Sequence, residues 1–174
     1  MGLFDLKGKV AIITGSSRGI GRAIAERMAE HGAKVVVSSR KAEACEEVAQ
    51  AIRAKGGEAL VQPCNINRKD ELQALVDAAL AKWGRIDILV CNAAINPHFG
   101  PSVGIPDEAF DKILGANVRS NHWLCNMVAP HMAAQNDGAI IIISSIAGLI
   151  GNDTLGTYGI SKAADMQIAR NLAV

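Results

Sequence analysis

Short apolar runs ending in glycine or polar residues alternate with longer stretches of helical periodicity along this chain, and that alternation narrows the possible folds sharply. Val10–Ile13 is too short for a helix and leads into glycines, as a buried strand does. A helical pattern follows from Gly21 to Glu30: Ile20, Ile24 and Met28 are expected on one inward face, Arg22 and Glu26 form an outward pair, and Gly32 is the stop. Val35–Val37 reads as a second strand. Lys41–Lys55 reads as a second helix, with Ala44, Val48, Ala51 and Ile52 inward and Gly56-Gly57 at its end. Ala59–Cys64 is a third strand, weakened by Pro63. Asn67 is the expected cap of the next helix, with Asp70 and Glu71 in its first turn and Leu72, Leu75, Val76, Ala79, Leu80 and Trp83 as its apolar stripe.

Ile86–Val90 is strand four, and a loop rich in glycine and proline spans 96–106. A long helix is expected over 107–132, interrupted near Pro130. Ala139–Ser144 is strand five, and a last helix begins near Thr157 and is still running at Val174. Strands alternating with helices of this length require crossover connections, hence an α/β fold with a doubly wound parallel sheet covered on both faces. The 174 residues suit one domain, and no linker divides them.

Eighteen basic residues against seventeen acidic ones leave a net charge of +1, which argues against a polyelectrolyte or membrane-surface partner. Asp5 and Lys7 break any apolar leader, and Met1-Gly2 opens like a myristoylation site but has Leu6 where a hydroxyl residue is needed. Cys45, Cys64, Cys91 and Cys125 are widely spaced and read as buried thiols in a reducing, cytoplasmic setting, with disulfides as the other reading. No histidine spacing suggests a metal.

Strand one runs into Thr14-Gly15-Ser16-Ser17-Arg18-Gly19-Ile20-Gly21 and then into a helix. Glycines here allow a sharp turn, close approach of backbone to a pyrophosphate, and tight packing of helix on strand, while the helix N-terminus offers free N–H groups to phosphate. Strand–turn–helix context makes this a nucleotide-binding loop. Strand two ends Ser38-Ser39-Arg40, without the carboxylate that would accept a ribose 2′-hydroxyl. Arg18 and Arg40 suit a 2′-phosphate, which favours NADP over NAD; the plainer reading is two solvated surface charges.

Tyr158 and Lys162 are four residues apart, so a helix puts both on one face. A free phenol, with a pKa of about 10, carries protons poorly at neutral pH, and a neighbouring ammonium favours the phenolate. Tyr158 is the only tyrosine in the chain. Ser145 leaves strand five and Asn92 leaves strand four, both at the carboxyl rim where open α/β sheets bind ligands; polar residues at a strand exit are the alternative.

Thr14-Gly15-x-x-x-Gly19-x-Gly21, Asn92-Ala93-Ala94, Asn117, Ser145 and Tyr158-x-x-x-Lys162 occur together, in order, and in this the chain resembles the short-chain dehydrogenase/reductase family over essentially its whole length. The resemblance implies a Rossmann-type sheet of order 3-2-1-4-5, with strands 6 and 7 in a complete chain. It implies hydride transfer between NADP(H) and a carbonyl or secondary alcohol. Tyr158 would be the acid or base, Lys162 would tune it and hold the nicotinamide ribose, and Ser145 would bind the substrate oxygen. Asn117 would hold a proton-relaying water; an amide satisfying backbone inside a helix is the alternative.

The cofactor would lie along Gly15, Ser17, Arg18, Gly19, Ile20, Gly21, Ser39, Arg40, Asn65, Ile66, Asn92, Ala93 and Ala94, besides Tyr158 and Lys162. Cys91 and Ala94 depart from the family's NNAG, and Asn65 stands where many members have aspartate. VVVSSRK around Arg40 and NAAINPHFG after strand four resemble a subgroup of NADP-dependent carbonyl and retinal reductases.

Family members run to about 250 residues, the size of a seven-stranded α/β domain. The last helix here is still periodic at Met166, Ile168, Ala169, Leu172 and Ala173, so the expectation is a shortened or early-terminated form of a longer enzyme, one dinucleotide-binding catalytic domain incomplete at its C-terminus. Strand five, apolar on both faces, would then be an exposed sheet edge. The resemblance also implies a dimer or tetramer built on the helices carrying Asn117 and Tyr158. The alternative to an enzyme is a dinucleotide-binding or regulatory protein without turnover; a purely structural protein would leave the motifs coincidental.

Overall fold

In the computed structural model, which describes residues 3–174, five short runs pair as parallel strands: β1 (Val10–Thr14), β2 (Lys34–Ser38), β3 (Glu58–Val61), β4 (Ile88–Cys91) and β5 (Ala139–Ile142). Met1 and Gly2, where the myristoylation-like opening falls, lie outside the described residues. The strand order is β3-β2-β1-β4-β5, as the resemblance implies, with Ile12 level with Val36 on one side and Leu89 on the other. The crossovers are α1 (Gly19–Glu30), α2 (Ala42–Ala54), α3 (Lys69–Trp83) and α4 (Asp107–Leu114), the last continuing through a π-helical segment, Gly115–Arg119, into α5 (Ser120–Gln135). A 3₁₀ turn (Ile146–Gly148) and α6 (Gly156–Leu172) follow β5.

The period of two along each strand divides the core into two layers. Ala11, Ile13, Val35 and Val37 face α1 and α2 through Ala25, Ala29, Val48 and Ile52. Ile12, Val36 and Leu89 face α3 and α5 through Leu72, Leu75, Val76, Leu124 and Val128. Strands covered on both sides can be apolar throughout, which is why they read as uninterrupted runs rather than as alternating ones. β5 is the outermost strand on its side, and Ile141 is 42% exposed, as expected for an edge. Among the described residues no helix is long and apolar enough to cross a membrane.

Several local expectations are corrected. Ile20 is 66% exposed and does not join the inward face of α1, which is made by Gly21, Ala25 and Ala29 with Ile24 and Met28 beside them. Its place at the very start of α1 puts it outside the contact with β1. Asn67 does not cap α3: the cap position is Arg68, without a side-chain bond. Instead the Asn67 N–H donates to Asn65 Oδ1 at 3.1 Å, and Glu71 reaches back to accept the Asn65 N–H at 2.7 Å.

The long helix is broken not at Pro130 but at the π segment. Pro130 sits inside α5, where the missing N–H leaves only the carbonyl of exposed Asn126 for water to satisfy. β3 stops at Val61, yet the N–H groups of Gln62 and Cys64 still bond Val37 and Ser39 around Pro63. α6 ends at Leu172 rather than continuing to Val174.

At the amino end of β4, Asp87 is 2% exposed and accepts from the Val10 N–H at 2.8 Å and from Arg85 Nε at 2.9 Å. Burial raises a carboxyl's proton affinity. Here the Arg85 hydrogen bonds, the Val10 N–H and the charges of Arg85 and Lys9 outweigh it and hold Asp87 below the ordinary carboxylate value. Because folding lowers this pKa, its stabilising contribution is complete above the unfolded carboxylate value near ~4 and disappears as pH falls through the lower folded value. Asp87→Asn is expected to cost about 1–3 kcal/mol at neutral pH. Urea melts should show the gap from wild type closing under acid conditions.

Candidate active site

The turn after β1 is fastened to three strand ends. Ser16 N–H donates to the Ser38 carbonyl at 3.0 Å, Ser16 Oγ donates to the Ile13 carbonyl at 2.7 Å, and the Ser38 N–H returns a bond to Ser16 Oγ at 2.8 Å. Thr14 Oγ1 accepts the N–H groups of both Asn92 and Ala93 at 3.0 Å, and Asn92 Nδ2 donates to the Thr14 carbonyl at 2.9 Å. Gly15 (φ +66°) and Gly19 (φ +56°) occupy left-handed backbone that favours glycine.

Gly21 is required for a different reason. A Cβ there would stand 2.4 Å from the Gly15 carbonyl oxygen and 2.5 Å from Asn92 Nδ2. At Gly19 a Cβ would meet nothing within 4 Å, so this side of the turn is open. α1 begins at Gly19 with no side-chain cap, leaving its first N–H groups free toward that opening. Ser17 is half-buried, and Arg18 is exposed beside it.

Along the same rim, Ser39 Oγ lies 3.1 Å from Cys45 Sγ, and Arg40 is exposed. Asn65 and Ile66 follow β3, with Ile66 packed against the α3 side of the core. Ala94 is exposed after β4. All four cysteines are free and buried. Burial, with the charges of Glu71 and Asp70, pushes the Cys64 thiol up to about 12.

A second cluster forms where α6 crosses the exits of β4 and β5. The Ser145 hydroxyl accepts the Ala147 N–H at 3.2 Å and so caps the 3₁₀ turn. That turn packs on α6 at two glycines. A Cβ on Gly159 would lie 2.6 Å from the Ala147 carbonyl oxygen, and one on Gly148 would lie 2.7 Å from the Ala163 nitrogen. Ser144 Oγ donates to the Lys162 carbonyl at 2.8 Å, closing the same contact. Ser145 is thereby held beside the turn of α6 that carries half-buried Tyr158.

Lys162 is 2% exposed; its Nζ donates to the Ile143 carbonyl and to Asp165 Oδ2, each at 2.9 Å, and lies 5.6 Å from the centre of the Tyr158 ring. Asn117, fully buried in the π segment, donates from Nδ2 to the Ile95 carbonyl and to Ser161 Oγ, each at 3.0 Å, and accepts the Ile95 N–H at Oδ1, 2.8 Å away. Ser161 Oγ in turn donates to the Tyr158 carbonyl at 2.7 Å. The side chain of Asn117 therefore joins the loop after β4 to α6, and both its amide hydrogens are engaged.

Asn117, Ser145, Tyr158 and Lys162 thus form one cluster, linked through Ile95 to the Asn92-Ala93 side of the glycine turn. Ser16, Gly148, Gly159 and Asp165 also shape the site and were not singled out from the sequence, while Thr14 was quoted in the glycine motif without a role of its own. A buried threonine or serine and a contact glycine carry no pattern of their own; only their partners reveal them. A surface cleft of about 740 Å³, lined by Phe4, Lys34 and Glu58 among others, lies at the amino ends of the strands and contains none of these residues.

The order of glycine turn, Ser145, Tyr158 and Lys162 around one rim agrees with a family match: residues 9–174 fit the model of the short chain dehydrogenase family. The chain belongs to the short-chain dehydrogenase family. Over 169 residues it is 40% identical to the Bos taurus protein named dehydrogenase/reductase SDR family member 4, covering 97% of this chain and 61% of that one. The Arabidopsis thaliana short-chain dehydrogenase/reductase SDRA is 38% identical over 168 residues, covering 97% and 65% respectively. The chain therefore spans less than two-thirds of the length of these curated relatives.

Among solved structures, a 7α-hydroxysteroid dehydrogenase complexed with NADH and 7-oxo glycochenodeoxycholic acid superposes with a TM-score of 0.93 at 39% identity, covering 98% of this chain and 66% of that one. A metagenomic short-chain oxidoreductase in complex with NADP gives 0.92 at 36% identity, covering 97% and 76%.

Proposed function

We propose that this chain is the dinucleotide-binding and catalytic domain of an oxidoreductase that transfers hydride between NADP(H) and a carbonyl or secondary alcohol. The observation that carries this reading is the Lys162 ammonium 5.6 Å from the Tyr158 ring, on a helix packed against the turn of Ser145. In carbonyl reduction Tyr158 donates the proton to the substrate oxygen; in alcohol oxidation it accepts it. Ser145 donates a hydrogen bond to that same oxygen and stabilises the charge that develops there. Lys162 supplies a fixed positive charge beside the phenol and a free N–H for a ribose hydroxyl. Asn117 fixes the floor of the site through Ile95 and Ser161, and any water it holds would have to donate to its Oδ1 or meet its main chain, because both side-chain hydrogens are committed.

The residues present suit a dinucleotide. The uncapped start of α1 and the open side of Gly19 provide N–H groups and room for a pyrophosphate. Bound there, a nicotinamide supplies the hydride. The NADP preference rests on exposed Arg40, just after β2, and exposed Arg18; the carbonyl/retinal reductase-like subgroup rests on VVVSSRK around Arg40 and NAAINPHFG after β4. One solved relative is complexed with NADH and another with NADP, so the arginines are the basis for the choice. Self-association through α5 and α6 and a reducing, cytoplasmic setting belong to the same reading.

The test is to titrate the intact protein with NADPH and then offer a panel of ketones and aldehydes while following the absorbance of the reduced nicotinamide. Saturable binding with consumption supports the enzyme; saturable binding with no consumption on any carbonyl supports a binder without turnover. Arg40→Ala is expected to weaken NADPH by about 10–100-fold, the loss of a charged hydrogen bond or two, and to leave NADH nearly unchanged. Equal effects on both cofactors would remove the case for the 2′-phosphate.

A further inference from the structure

Asp165 has no part in the reading above, yet it is fully buried one turn beyond Lys162. Its Oδ2 accepts from Lys162 Nζ at 2.9 Å, and its Oδ1 accepts from Asn121 Nδ2 at 2.9 Å. Asn121 Nδ2 also donates to the carbonyl of Asn117 at 2.7 Å. The carboxylate is thus held from both sides, by the lysine and by an amide anchored to the π segment.

We propose that Asp165 is a positioning residue for Lys162, keeping a buried ammonium charged and turned toward Tyr158; this rests on the catalytic reading of that pair. A lysine this deeply buried favours its neutral form unless a counter-charge stands beside it. An ammonium has three N–H donors. The Asp165 carboxylate and the Ile143 carbonyl take two, and among the described residues the third is unclaimed. A neutral amine at the same place would neither favour the phenolate nor hold a ribose hydroxyl as firmly.

The surroundings leave this role to Asp165. On α6 the other titratable neighbour is Tyr158. From β4 and α5 come Cys91 and Cys125; the neighbouring Cys125 thiol, burial and the Asp165 charge hold Cys91 well above the usual thiol range. The π segment contributes Asn117, and its one charged residue, Arg119, lies over the Trp123 ring at 5.2 Å. The 3₁₀ turn and β5 carry no charged side chain, and Asp107, Glu108, Asp111 and Lys112 of α4 are exposed.

The test compares wild type with Asp165→Asn in the intact protein. Without cofactor, urea melts of the variant should gain stability as pH rises from about 6 to 10, because an unfolded lysine titrates near 10.4 and so binds more protons than the neutralised folded one. Wild type should lack that added slope. With saturating NADPH the variant should lose about tenfold or more in kcat near neutrality, the scale of general acid–base assistance, with its pH profile displaced and its carbonyl KM within about threefold.

Parallel stability slopes and an unmoved pH profile would overturn the proposal while leaving hydride transfer intact. Absence of turnover in wild type, with the slopes still distinct, would overturn the enzyme reading alone. If Asp165→Asn does not fold, the pair variant Lys162→Met/Asp165→Leu decides. Its folding supports an unpaired charge as the cause, and its failure shows that Asp165 is needed for packing alone, against the proposal.

Discussion

Lys162→Met is expected to destabilise the fold by about 3–5 kcal/mol, the cost of leaving one member of a buried ion pair without its partner. Lys162 and Asp165 are 2% and 0% exposed, so water cannot replace the lost ammonium. The Asp165 carboxylate would keep only the Asn121 amide, and the Ile143 carbonyl would lose its donor from the lysine. For a chain of this size the melting temperature should fall by roughly 10 °C. Turnover should fall with it, since the charge beside Tyr158 is gone. A urea melt of the variant within about 1 kcal/mol of wild type, well short of the loss typical of a broken buried pair, would show that the two charges are not mutually dependent.

Gly21→Ala should damage the other half of the site. The added methyl would lie 2.4 Å from the Gly15 carbonyl oxygen and 2.5 Å from Asn92 Nδ2. Neither neighbour is free to swing away: the first is backbone, and the second is tied to the Thr14 carbonyl. α1 and the turn must therefore separate, at an expected cost of about 1–3 kcal/mol. The nucleotide should bind at least about tenfold more weakly, the equivalent of one 1.4 kcal/mol step.

Gly19→Ala is the control. Without nucleotide its Cβ meets nothing, and its cost to the fold is only that of a left-handed backbone, about 1–2 kcal/mol. Denaturant melts of the two variants without nucleotide separate close packing from backbone freedom. Equal nucleotide affinity for Gly21→Ala and wild type would show that the approach of Gly21 to Gly15 does not shape the phosphate turn.

The strands and the glycine turn were legible because both are written locally, whereas the strand order came only through the family resemblance. Val10–Ile13 and Val35–Val37 are runs that only a doubly covered strand tolerates, and the glycines follow the first of them at once. Tyr158 and Lys162 were legible because helical spacing alone puts them on one face. What was not legible depends on contacts distant in sequence. Ile20 keeps the helical period of α1 yet sits one step too early to meet the sheet.

The π segment exists where Asn117 reaches Ile95 and Ser161, and nothing in Gly115-Ala116-Asn117 announces those partners. Glu71 was expected only to enrich a first helical turn, but it folds back onto the Asn65 N–H. Gly148 and Gly159 are ordinary glycines in sequence, and only the closeness of the Ser145 turn to α6 explains them. Asp165 looks like a polar residue on a helix until Lys162 is found beside it.

The account rests on the Tyr158 phenol as the proton carrier, and the most direct measurement is the single-turnover rate of Tyr158→Phe against wild type. The intact protein would be saturated with NADPH and mixed with a carbonyl that wild type reduces. The expected result is unchanged nucleotide affinity with hydride transfer slowed by about 10²–10⁴-fold, the range for loss of a general acid. A Tyr158→Phe protein that consumes NADPH at the wild-type rate would contradict it.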